Sequence, residues 1–441
     1  MRIALVAMSG IRVVDTELLR LGLTLPGFVE RSKTIASLPS LGLLTLAPLT
    51  PPEHEVHYFE VRDLWPEPDL SGFDLVGISS YSAQIGEAYA LASRLRESGH
   101  KVVLGGPHVS VLPEEALRHA DAVVIGEGEA VWPEVVNDAA RGHLAPTYGD
   151  LRGDYDLSRT PVPAFELLDI SRYNRLTLQT SRGCPHLCEF CAGSVLFCPL
   201  YKQKPVARVL AEVDRILELW AHPFLEFADD NALVRGAYWK NLLPELARRK
   251  VRWFAETDLS VAEDAVLLRL MRESGCAQVL IGLESPVEAG LAGIELRGDW
   301  KLRHWSHYRE AIGRIQSHGI AVNGCFVLGL DGHTPDVFDQ VLEFAEDSGL
   351  EEVQVTIQTA FPGTPLYTRL QREGRILEDG RWDKCTLFDV NFRPRDMSVE
   401  TLMRGFRALV TELYSEERTR RRRERFRAQL RGVRERRCTS S

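Results

Sequence analysis

Short runs of Val, Ile and Leu recur along the N-terminal third of the chain and alternate with segments whose apolar residues follow helical spacing. The runs predict strands and the intervening segments predict helices. Because strands that are apolar on both faces form parallel sheets covered by helices, the pattern predicts a doubly wound α/β domain over residues 1–142. The predicted strands are Arg2–Ala7, Val56–Val61, Leu75–Ser79, Val102–Gly105 and Ala122–Gly126, and the predicted helices are Leu91–Ser98, Pro113–His119 and Val131–Ala140.

A second alternation of strands and helices follows residues 143–175, whose prolines and glycines predict a linker. Its six β/α units predict a partial barrel over residues 176–367, with its chemistry at the carboxyl ends of the strands. The pattern of residues 368–415 predicts a small helical extension, and residues 416–441 form an arginine-rich tail. The predicted barrel strands are Leu176–Ser181, Phe224–Asp229, Arg252–Thr257, Gln278–Ser285, Ala321–Gly329 and Glu352–Ile357.

Small residues end three of the strands predicted for the first domain. Ligands of such sheets bind beyond the carboxyl ends of the strands, and glycine lets them approach the backbone closely. We therefore expect a site for a large ligand at this edge. The segments are Gly77-Ile-Ser79-Ser80, Gly105-Gly106-Pro107-His108 and Gly126-Glu127-Gly128-Glu129.

Composition and charge narrow the class of protein. The chain is 44% hydrophobic and 26% charged, and it has no apolar run of the ~18 residues that a membrane span needs, which predicts a soluble globular protein. The apolar start is too short for a signal peptide and predicts a strand, so we expect a cytoplasmic location. A net charge of −9 disfavours nucleic acid as the main partner. We expect the arginine-rich tail to be solvated and partly helical, with nucleic acid, an acidic partner or membrane phosphates as alternatives.

Cysteine placement carries the chemical signal. All eight cysteines lie at or after position 184, and three of them fall within the segment Ser181-Arg-Gly-Cys184-Pro-His-Leu-Cys188-Glu-Phe-Cys191. Three thiolates on one loop can hold a [4Fe–4S] cluster and leave one iron without a protein ligand. A structural zinc ion would need four closed ligands. The spacing therefore predicts an iron–sulfur cluster. The isolated Cys198, Cys276 and Cys325 are predicted to be small buried residues, with a fourth ligand or a reactive thiol as the alternative for Cys198.

The cysteine loop at the end of the first barrel strand resembles that of radical S-adenosylmethionine (SAM) enzymes. The resemblance implies that SAM chelates the open iron and is cleaved to a 5′-deoxyadenosyl radical. It also implies SAM contacts at the strand ends, where the alternative for each carboxylate is a helix N-cap. These positions are Asp229, Asp230, Asn231, Glu256, Asp258, Glu284, Ser285, Gly324 and Gly329.

The first domain resembles the cobalamin-binding domain that precedes many radical SAM barrels, through residues 40–46 (SLGLLTL) and the glycine segments above. The Asp-x-His-x-x-Gly motif that supplies an axial histidine in other cobalamin enzymes is absent from the sequence. We therefore predict cobalamin without a histidine ligand, although His54, His57 and His108 are candidates by residue type. The cobalamin contacts implied by the resemblance are Ser79, Ser80, Gly105, Gly106, Pro107, His108, Gly126, Glu127 and Gly128.

The C-terminal part, from Phe361-Pro-Gly-Thr-Pro-Leu-Tyr367 onward, resembles the subgroup of hopanoid C-2 methylase and bacteriochlorophyll side-chain methylases. This implies methylation of an unactivated carbon in a small-molecule, lipid or tetrapyrrole intermediate. One SAM would methylate cob(I)alamin, a second would supply the radical, and methylcobalamin would deliver the methyl group. The implied electron donor is a flavodoxin or ferredoxin. Two alternatives stay open: a radical SAM cyclase or rearranging enzyme without net methylation, and an iron–sulfur redox sensor or nucleic-acid-binding protein.

Overall fold

The first domain is a six-stranded parallel sheet covered by helices on both faces. The computed structural model describes residues 1–22, 38–64, 68–193, 196 and 200–439. The strands of this sheet are β1 (Arg2–Met8), β2 (Glu55–Val61), β3 (Leu75–Ser79), β4 (Lys101–Gly105), β5 (Ala122–Gly126) and β6 (Thr147–Asp150). Their order is β2-β1-β3-β4-β5-β6, and every pair is parallel. The predicted doubly wound domain is confirmed.

Strand β6 lies inside the segment that the sequence predicts to be a linker. It pairs with β5 from Val123–Thr147 to Gly126–Asp150. Only Tyr148 of its four residues is buried, so no apolar run marks the strand in the sequence. The linker therefore begins later than predicted.

The second domain is an open barrel of six parallel strands. A two-stranded antiparallel hairpin, in which Ser181–Arg182 pairs with Lys202–Gln203, interrupts the barrel after its first strand. The predicted first strand, Leu176–Ser181, thus divides into β7 and the start of the hairpin. The strands are β7 (Leu176–Leu178), β8 (Ser181–Arg182), β9 (Lys202–Gln203), β10 (Phe224–Phe227), β11 (Arg252–Thr257), β12 (Cys276–Glu284), β13 (Ala321–Leu328) and β14 (Glu352–Ile357). The barrel order is β14-β13-β12-β11-β10-β7, and the described strands leave β14 and β7 as its open edges.

Amphipathic helices cover both sheets and bury their apolar faces in continuous cores. The helices of the first domain are α1 (Thr16–Leu21), α2 (Leu41–Leu46), α3 (Ile85–Glu97), α4 (Pro107–Val111), α5 (Pro113–Ala116) and α6 (Trp132–Arg141). The barrel helices are α7 (Val206–Leu219), α8 (Gly236–Arg249), α9 (Ala265–Glu273), α10 (Glu288–Leu291), α11 (Trp300–His304), α12 (Tyr308–Ser317) and α13 (Val337–Asp347). The C-terminal helices are α14 (Pro365–Arg372), α15 (Val399–Leu413) and α16 (Glu416–Thr439).

The arginine-rich tail is helical as expected, but over the first part of α16 it is only partly solvated because one face contacts the barrel. Arg422 has no exposed surface and donates from Nη1 to the carbonyl of Leu413 at 2.9 Å. Arg423 pairs with Glu352 at the start of β14 (2.6 Å), and Phe426 is buried. The expectation is corrected because individual arginines find carboxylate partners on the barrel, which a charge count cannot reveal.

The C-terminal extension also fixes the loop that follows β1. The carboxylate of Asp389 accepts hydrogen bonds from the backbone amides of Val14 and Asp15, both at 2.9 Å. Arg407 pairs with the side chain of Asp15. The first domain is thereby held against the barrel by residues remote from it in sequence.

Among the described residues, no helix has both the length and the apolar character required to cross a bilayer.

Candidate active site

Two cavities open at the carboxyl ends of the strands. The first, the sheet cavity, has a volume of about 270 Å³ and lies at the ends of β1, β3, β4 and β5. Its apolar wall includes Leu5, Leu46, Val103, Val124 and Trp132. The second, the interdomain cavity, has a volume of about 570 Å³ and lies between this sheet and the first barrel strands. Both predicted ligand-binding edges are therefore present, and they face each other.

Most of the predicted cobalamin contacts line the sheet cavity. Gly126 must be glycine because its φ is +73° and because an added Cβ would lie 2.1 Å from the carbonyl oxygen of Asp150 on β6. Ser80 instead turns its hydroxyl to the carbonyl of Tyr81, at 3.0 Å. The predicted contacts on the cavity wall are Ser79, Gly105, Gly106, Pro107, Gly126, Glu127 and Gly128.

The three candidate histidines are held away from the strand ends. The imidazole of His108 is fully buried, with Nδ1 3.0 Å from the hydroxyl of Ser82 and Nε2 3.3 Å from Glu115. His54 and His57 lie at the opposite edge of the sheet, where β2 begins, and His54 contacts the N-terminal amine at 3.1 Å. Burial lowers the pKa of His108. None of the three histidines lines the sheet cavity, and cobalamin without a histidine ligand stays a prediction.

The cysteine loop begins in a backbone that two aspartates hold in place. Asp229 accepts hydrogen bonds from the amides of Thr180 (2.8 Å) and Ser181 (2.6 Å) and from the Thr180 hydroxyl (2.7 Å). Asp230 accepts one from the amide of Gly183 at 2.9 Å. Burial raises the pKa of Asp229 to about 6, against the lowering effect of these hydrogen bonds. Both carboxylates line the interdomain cavity, and their hydrogen bonds to the backbone hold the start of the cysteine loop in position.

Among the described residues, the three cysteines of the loop form no disulfide bond. Cys188 forms an isolated antiparallel bridge with Glu295, and the amide of Cys191 donates to the Cys188 carbonyl at 3.0 Å. Burial raises the pKa of Cys184 to about 11 and raises that of Cys188 further. Within the described residues no three such side chains already converge as metal ligands. Because thiolates and not thiols bind metal, cluster binding at these cysteines would release protons.

A hydrogen-bonded network joins the cysteine loop to the ends of β10 and β11. Asp258 lies 2.8 Å from Nε2 of His186 and accepts a hydrogen bond from Nδ2 of Asn231 at 2.7 Å. The same Asn231 nitrogen lies 3.9 Å from the sulfur of Cys184. Burial alone would raise the pKa of Asp258, but the hydrogen bonds from His186, Ser260 and Asn231 hold it well below its usual range. Asn231 and Asp258 therefore lie beside the cysteine loop, and their part in SAM binding stays a prediction.

Lys301 is the functional candidate that the sequence pattern did not reveal. Its ammonium group donates to Glu284 and to the carbonyl of Gly282, both at 2.8 Å, and only 6% of the residue is exposed. Although burial alone would lower the pKa of Lys301, the charge of Glu284 raises it well above the ordinary value. Lys301 also acts electrostatically on Cys184 and Cys188. It is a buried cation beside the cysteine loop, and a lone lysine at the start of a short helix gives no sequence signal for this role.

The remaining predicted SAM contacts divide between the core and the cavity. Ser285 is buried and lies 2.9 Å from Nε2 of His333. A Cβ at Gly324 would meet Leu350, and one at Gly329 would meet Leu402, so the open sides of both glycines face the core. Their part in SAM binding stays a prediction.

Glu256, by contrast, faces the interdomain cavity. Burial raises its pKa to about 8, and the carboxylates of Glu226, Asp230 and Asp229 add to the shift.

Three family models match the sequence. The B12 binding domain matches residues 67–136, the Radical SAM superfamily matches residues 178–345, and a domain of unknown function (DUF4070) matches residues 364–441. The first two models fall on the parallel sheet and on the open barrel described above.

Two curated relatives match most of the chain. Bacteriochlorophyllide d C-12(1)-methyltransferase of Chlorobaculum tepidum is 28% identical over 383 residues, which cover 85% of this chain and 82% of the relative. The uncharacterized methyltransferase sll1242 of Synechocystis sp. is 30% identical over 370 residues, covering 81% of this chain and 67% of the relative.

The fold is also that of a solved structure, the radical S-adenosylmethionine methyltransferase TsrM from Kitasatospora setae with cobalamin and a [4Fe-4S] cluster bound. The TM-score is 0.69 at 16% identity, over 94% of this chain and 89% of TsrM. An open barrel with a Cys-x3-Cys-x2-Cys loop behind its first strand defines a radical SAM enzyme. This chain belongs to the family of radical SAM enzymes that carry a B12-binding domain. Its cofactors are cobalamin, SAM and a [4Fe–4S] cluster, so the predicted resemblance is confirmed.

Proposed function

We propose that the chain is a cobalamin-dependent C-methyltransferase that acts on an unactivated carbon of a small-molecule, lipid or tetrapyrrole intermediate. One observation carries the proposal: the sheet cavity and the interdomain cavity share a wall. Ser79, Gly106, Pro107 and Arg182 line both of them. A methyl donor in the first cavity and a substrate in the second would therefore be neighbours, as direct methyl transfer requires.

The cluster ligands in this proposal are Cys184, Cys188 and Cys191. They fit a cluster with one open iron, because one loop carries three cysteines and no fourth cysteine lies within that loop. Cys198 lies outside the described residues, and we propose that it is not a ligand.

The SAM site in this proposal borders the cysteine loop. Lys301 supplies a positive charge suited to the methionyl carboxylate, and Asn231 and Asp258 offer polar groups beside Cys184. When bound, the three cofactors supply a carbon radical and a transferable methyl group. The role of the chain is to place them and to exclude water from the reacting carbon.

The cobalamin site in this proposal is the sheet cavity. Its apolar wall and the glycine backbone at Gly105 and Gly128 suit the flat nucleotide base of cobalamin, and no charged group is needed to hold it. The buried contacts of His108 with Ser82 and Glu115 leave its imidazole engaged away from this cavity. We infer that the base is bound away from cobalt and that no histidine takes its place.

The interdomain cavity is the proposed substrate site. Met8, Ile11, Leu41 and Tyr81 give it an apolar side. Its other side is charged and includes Arg182, Lys204, Glu226, Asp229, Asp230 and Glu256. Because the pKa of Glu256 is raised to about 8, its carboxyl is protonated near neutral pH and can donate a hydrogen bond. We infer that the substrate has an apolar part and a polar part with a hydrogen-bond acceptor.

The reduced cluster requires an electron donor, for which we propose a flavodoxin or a ferredoxin. Cluster assembly also requires reduced thiols, so we propose that the protein works in the cytoplasm.

The test is turnover with SAM that carries a labelled methyl group. Anaerobic protein loaded with cluster and cobalamin is incubated with a reductant and a cell extract, and products are followed by mass spectrometry. We expect a labelled product together with 5′-deoxyadenosine, and neither from Cys184→Ala. Formation of 5′-deoxyadenosine with an altered but unlabelled product would contradict methylation and favour cyclisation or rearrangement. Absence of SAM cleavage would contradict both.

A further inference from the structure

Four consecutive residues before Cys184 are each anchored by side-chain contacts. Thr180 and Ser181 are held by Asp229, and Gly183 is held by Asp230, all within the barrel. Arg182 is the residue of this set that reaches the first domain. It therefore connects the cysteine loop directly to the sheet cavity.

The guanidinium of Arg182 is satisfied at all three nitrogens. Nη1 donates to Glu127 at 2.8 Å, Nη2 donates to Glu129, and Nε donates to Gln179 at 2.9 Å. Glu127 and Glu129 flank Gly128 on the wall of the sheet cavity. A movement of this turn must shift Arg182 or break a buried ion pair.

A second cation completes the contact from the other strand of the hairpin. Lys202 on β9 donates to Glu127 at 2.6 Å and to the carbonyl of Tyr155 at 3.0 Å. The amide of Tyr155 donates to the other oxygen of Glu127 at 2.8 Å. Two cations and two carboxylates thus form a neutral cluster, and the side chain of Glu129 is only 7% exposed. Such a cluster is rigid because a buried charge cannot be left unpaired cheaply.

The position of the cluster gives it a role beyond joining two domains. Arg182 lines both cavities, and it lies two residues from Cys184. A ligand that orders the 126–129 turn therefore orders the base of the cysteine loop through the same contacts. Because every nitrogen of the Arg182 guanidinium already has a protein partner, Arg182 is suited to positioning and not to contact with reacting atoms.

We propose that Arg182, with Glu127, Glu129 and Lys202, couples cobalamin binding in the sheet cavity to SAM binding at the cysteine loop. This rests on the sites assigned above to the two cofactors. By thermodynamic linkage, each ligand raises the affinity for the other by the same factor. The coupling favours the state in which methyl donor and radical source are present together.

The experiment measures binding and needs no substrate. The SAM dissociation constant of cluster-loaded, anaerobic protein is determined by equilibrium dialysis, with and without saturating hydroxocobalamin. We expect cobalamin to tighten SAM binding about fivefold or more. In Arg182→Gln this factor should fall close to one while the iron content stays at that of the wild type. Arg152→Gln, an exposed arginine paired with Asp150 at the edge of the same sheet, is the matched control and should keep the full factor.

Two further variants keep the inference testable if Arg182→Gln loses its cluster. Glu129→Gln, on the other domain, keeps an oxygen acceptor but removes a charge and should lower the factor. Arg182→Lys keeps a charge but loses the fork of donors and should lie between Arg182→Gln and the wild type. An unchanged factor in Glu129→Gln, or no factor in the wild type, would overturn the inference. Failure to bind cobalamin at all would instead contradict the proposed function.

Discussion

The two cavities of this enzyme are built on the same kind of sheet edge but by opposite means. The sheet cavity is walled mainly by apolar side chains and glycine backbone, and the charged residues on its wall, Glu127, Glu129 and Arg182, are paired with one another. It therefore selects a ligand mainly by shape and apolar contact. At the mouth of the barrel, the side chains are charged, and most are already paired, as Lys301 is with Glu284. The difference shows that the residues following each strand, and not the parallel sheet itself, determine which ligand binds at the sheet edge.

Most polar side chains at the barrel mouth share hydrogen bonds or ion pairs, so replacing one of them also removes a partner from another. Asp229 is held by Thr180 and Ser181, and Asp258 by His186 and Asn231. Glu256 is different, since it faces the interdomain cavity and its pKa is strongly raised. We therefore expect substitutions at the barrel mouth to lower stability strongly. The effect of a substitution in the sheet cavity should depend on whether the new side chain has room.

The largest expected effect is the loss of the cluster. Replacing Cys184, Cys188 or Cys191 with Ala leaves two thiolates, which cannot hold the cubane firmly. We expect loss of bound iron and at least about a hundredfold loss of SAM cleavage, a size typical of removing a metal-site group. Iron content and 5′-deoxyadenosine formation are the measurements.

The matched control for these variants is Cys276→Ala, because Cys276 is fully buried in the barrel core. It and Cys198→Ala should keep both cluster and SAM cleavage. Retained cleavage in any of the three loop variants, or loss of the cluster in Cys198→Ala with the fold intact, would show that the ligand set is wrong.

The second effect concerns the buried pair at the barrel mouth. Lys301→Met leaves Glu284 as an unpaired buried carboxylate, and breaking a buried pair costs about 3–5 kcal/mol of stability. The midpoint of thermal unfolding of the anaerobic holoprotein measures this. The double variant Lys301→Met with Glu284→Leu should recover most of the loss. No recovery in the double variant would mean that the two side chains do not act as a pair.

The third effect concerns the room for a side chain at Gly126, where the first domain brings β6 close to the end of β5. Gly126→Ala would force a Cβ to within 2.1 Å of the Asp150 carbonyl at a φ of +73°, which should cost about 1–3 kcal/mol. Gly105→Ala is the control, since its Cβ would make ordinary contact with Val124 at 3.7 Å. Thermal unfolding should separate the two variants. Equal stability would show that β6 does not constrain this turn.

The fourth effect is a pH-dependent gain in stability from Glu256→Gln. Because burial raises the folded-state pKa of Glu256 from 4.5 to about 8, the native protein holds a proton that the unfolded chain releases between these values. Stability contributed at this site is therefore lost as pH rises from about 4.5 to about 8. We expect the variant to match the wild type at about pH 4.5 and to become steadily more stable than the wild type as the pH rises to 9. A difference that does not grow with pH would contradict this assignment.

The fold was predictable where strands are continuous apolar runs. β11 and β14 have the predicted bounds, Arg252–Thr257 and Glu352–Ile357, because both strands are almost wholly buried. β6 was missed because a four-residue edge strand with one buried tyrosine has no such pattern. The docking of α16 was missed because the partners of its arginines, such as Glu352 for Arg423, are far away in sequence.

The candidate site was predictable in position but not in detail. The glycine segments and the cysteine loop mark both strand edges, since glycines cluster at the ends of consecutive strands and three cysteines fall within eight residues. His108 follows the Gly105-Gly106-Pro107 segment, but it lies in the first turn of α4 and its ring is buried against Ser82 and Glu115. Arg182 and Lys301 depend on partners across the fold, and spacing within the sequence cannot identify such partners.

The most direct test of the account is electron paramagnetic resonance of cob(II)alamin bound to the protein. The account places the cofactor in the sheet cavity and holds His54, His57 and His108 away from it. It therefore predicts a cobalt spectrum without nitrogen superhyperfine splitting, since neither a histidine nor the nucleotide base would coordinate the metal. A clear nitrogen triplet would contradict this placement of the cofactor.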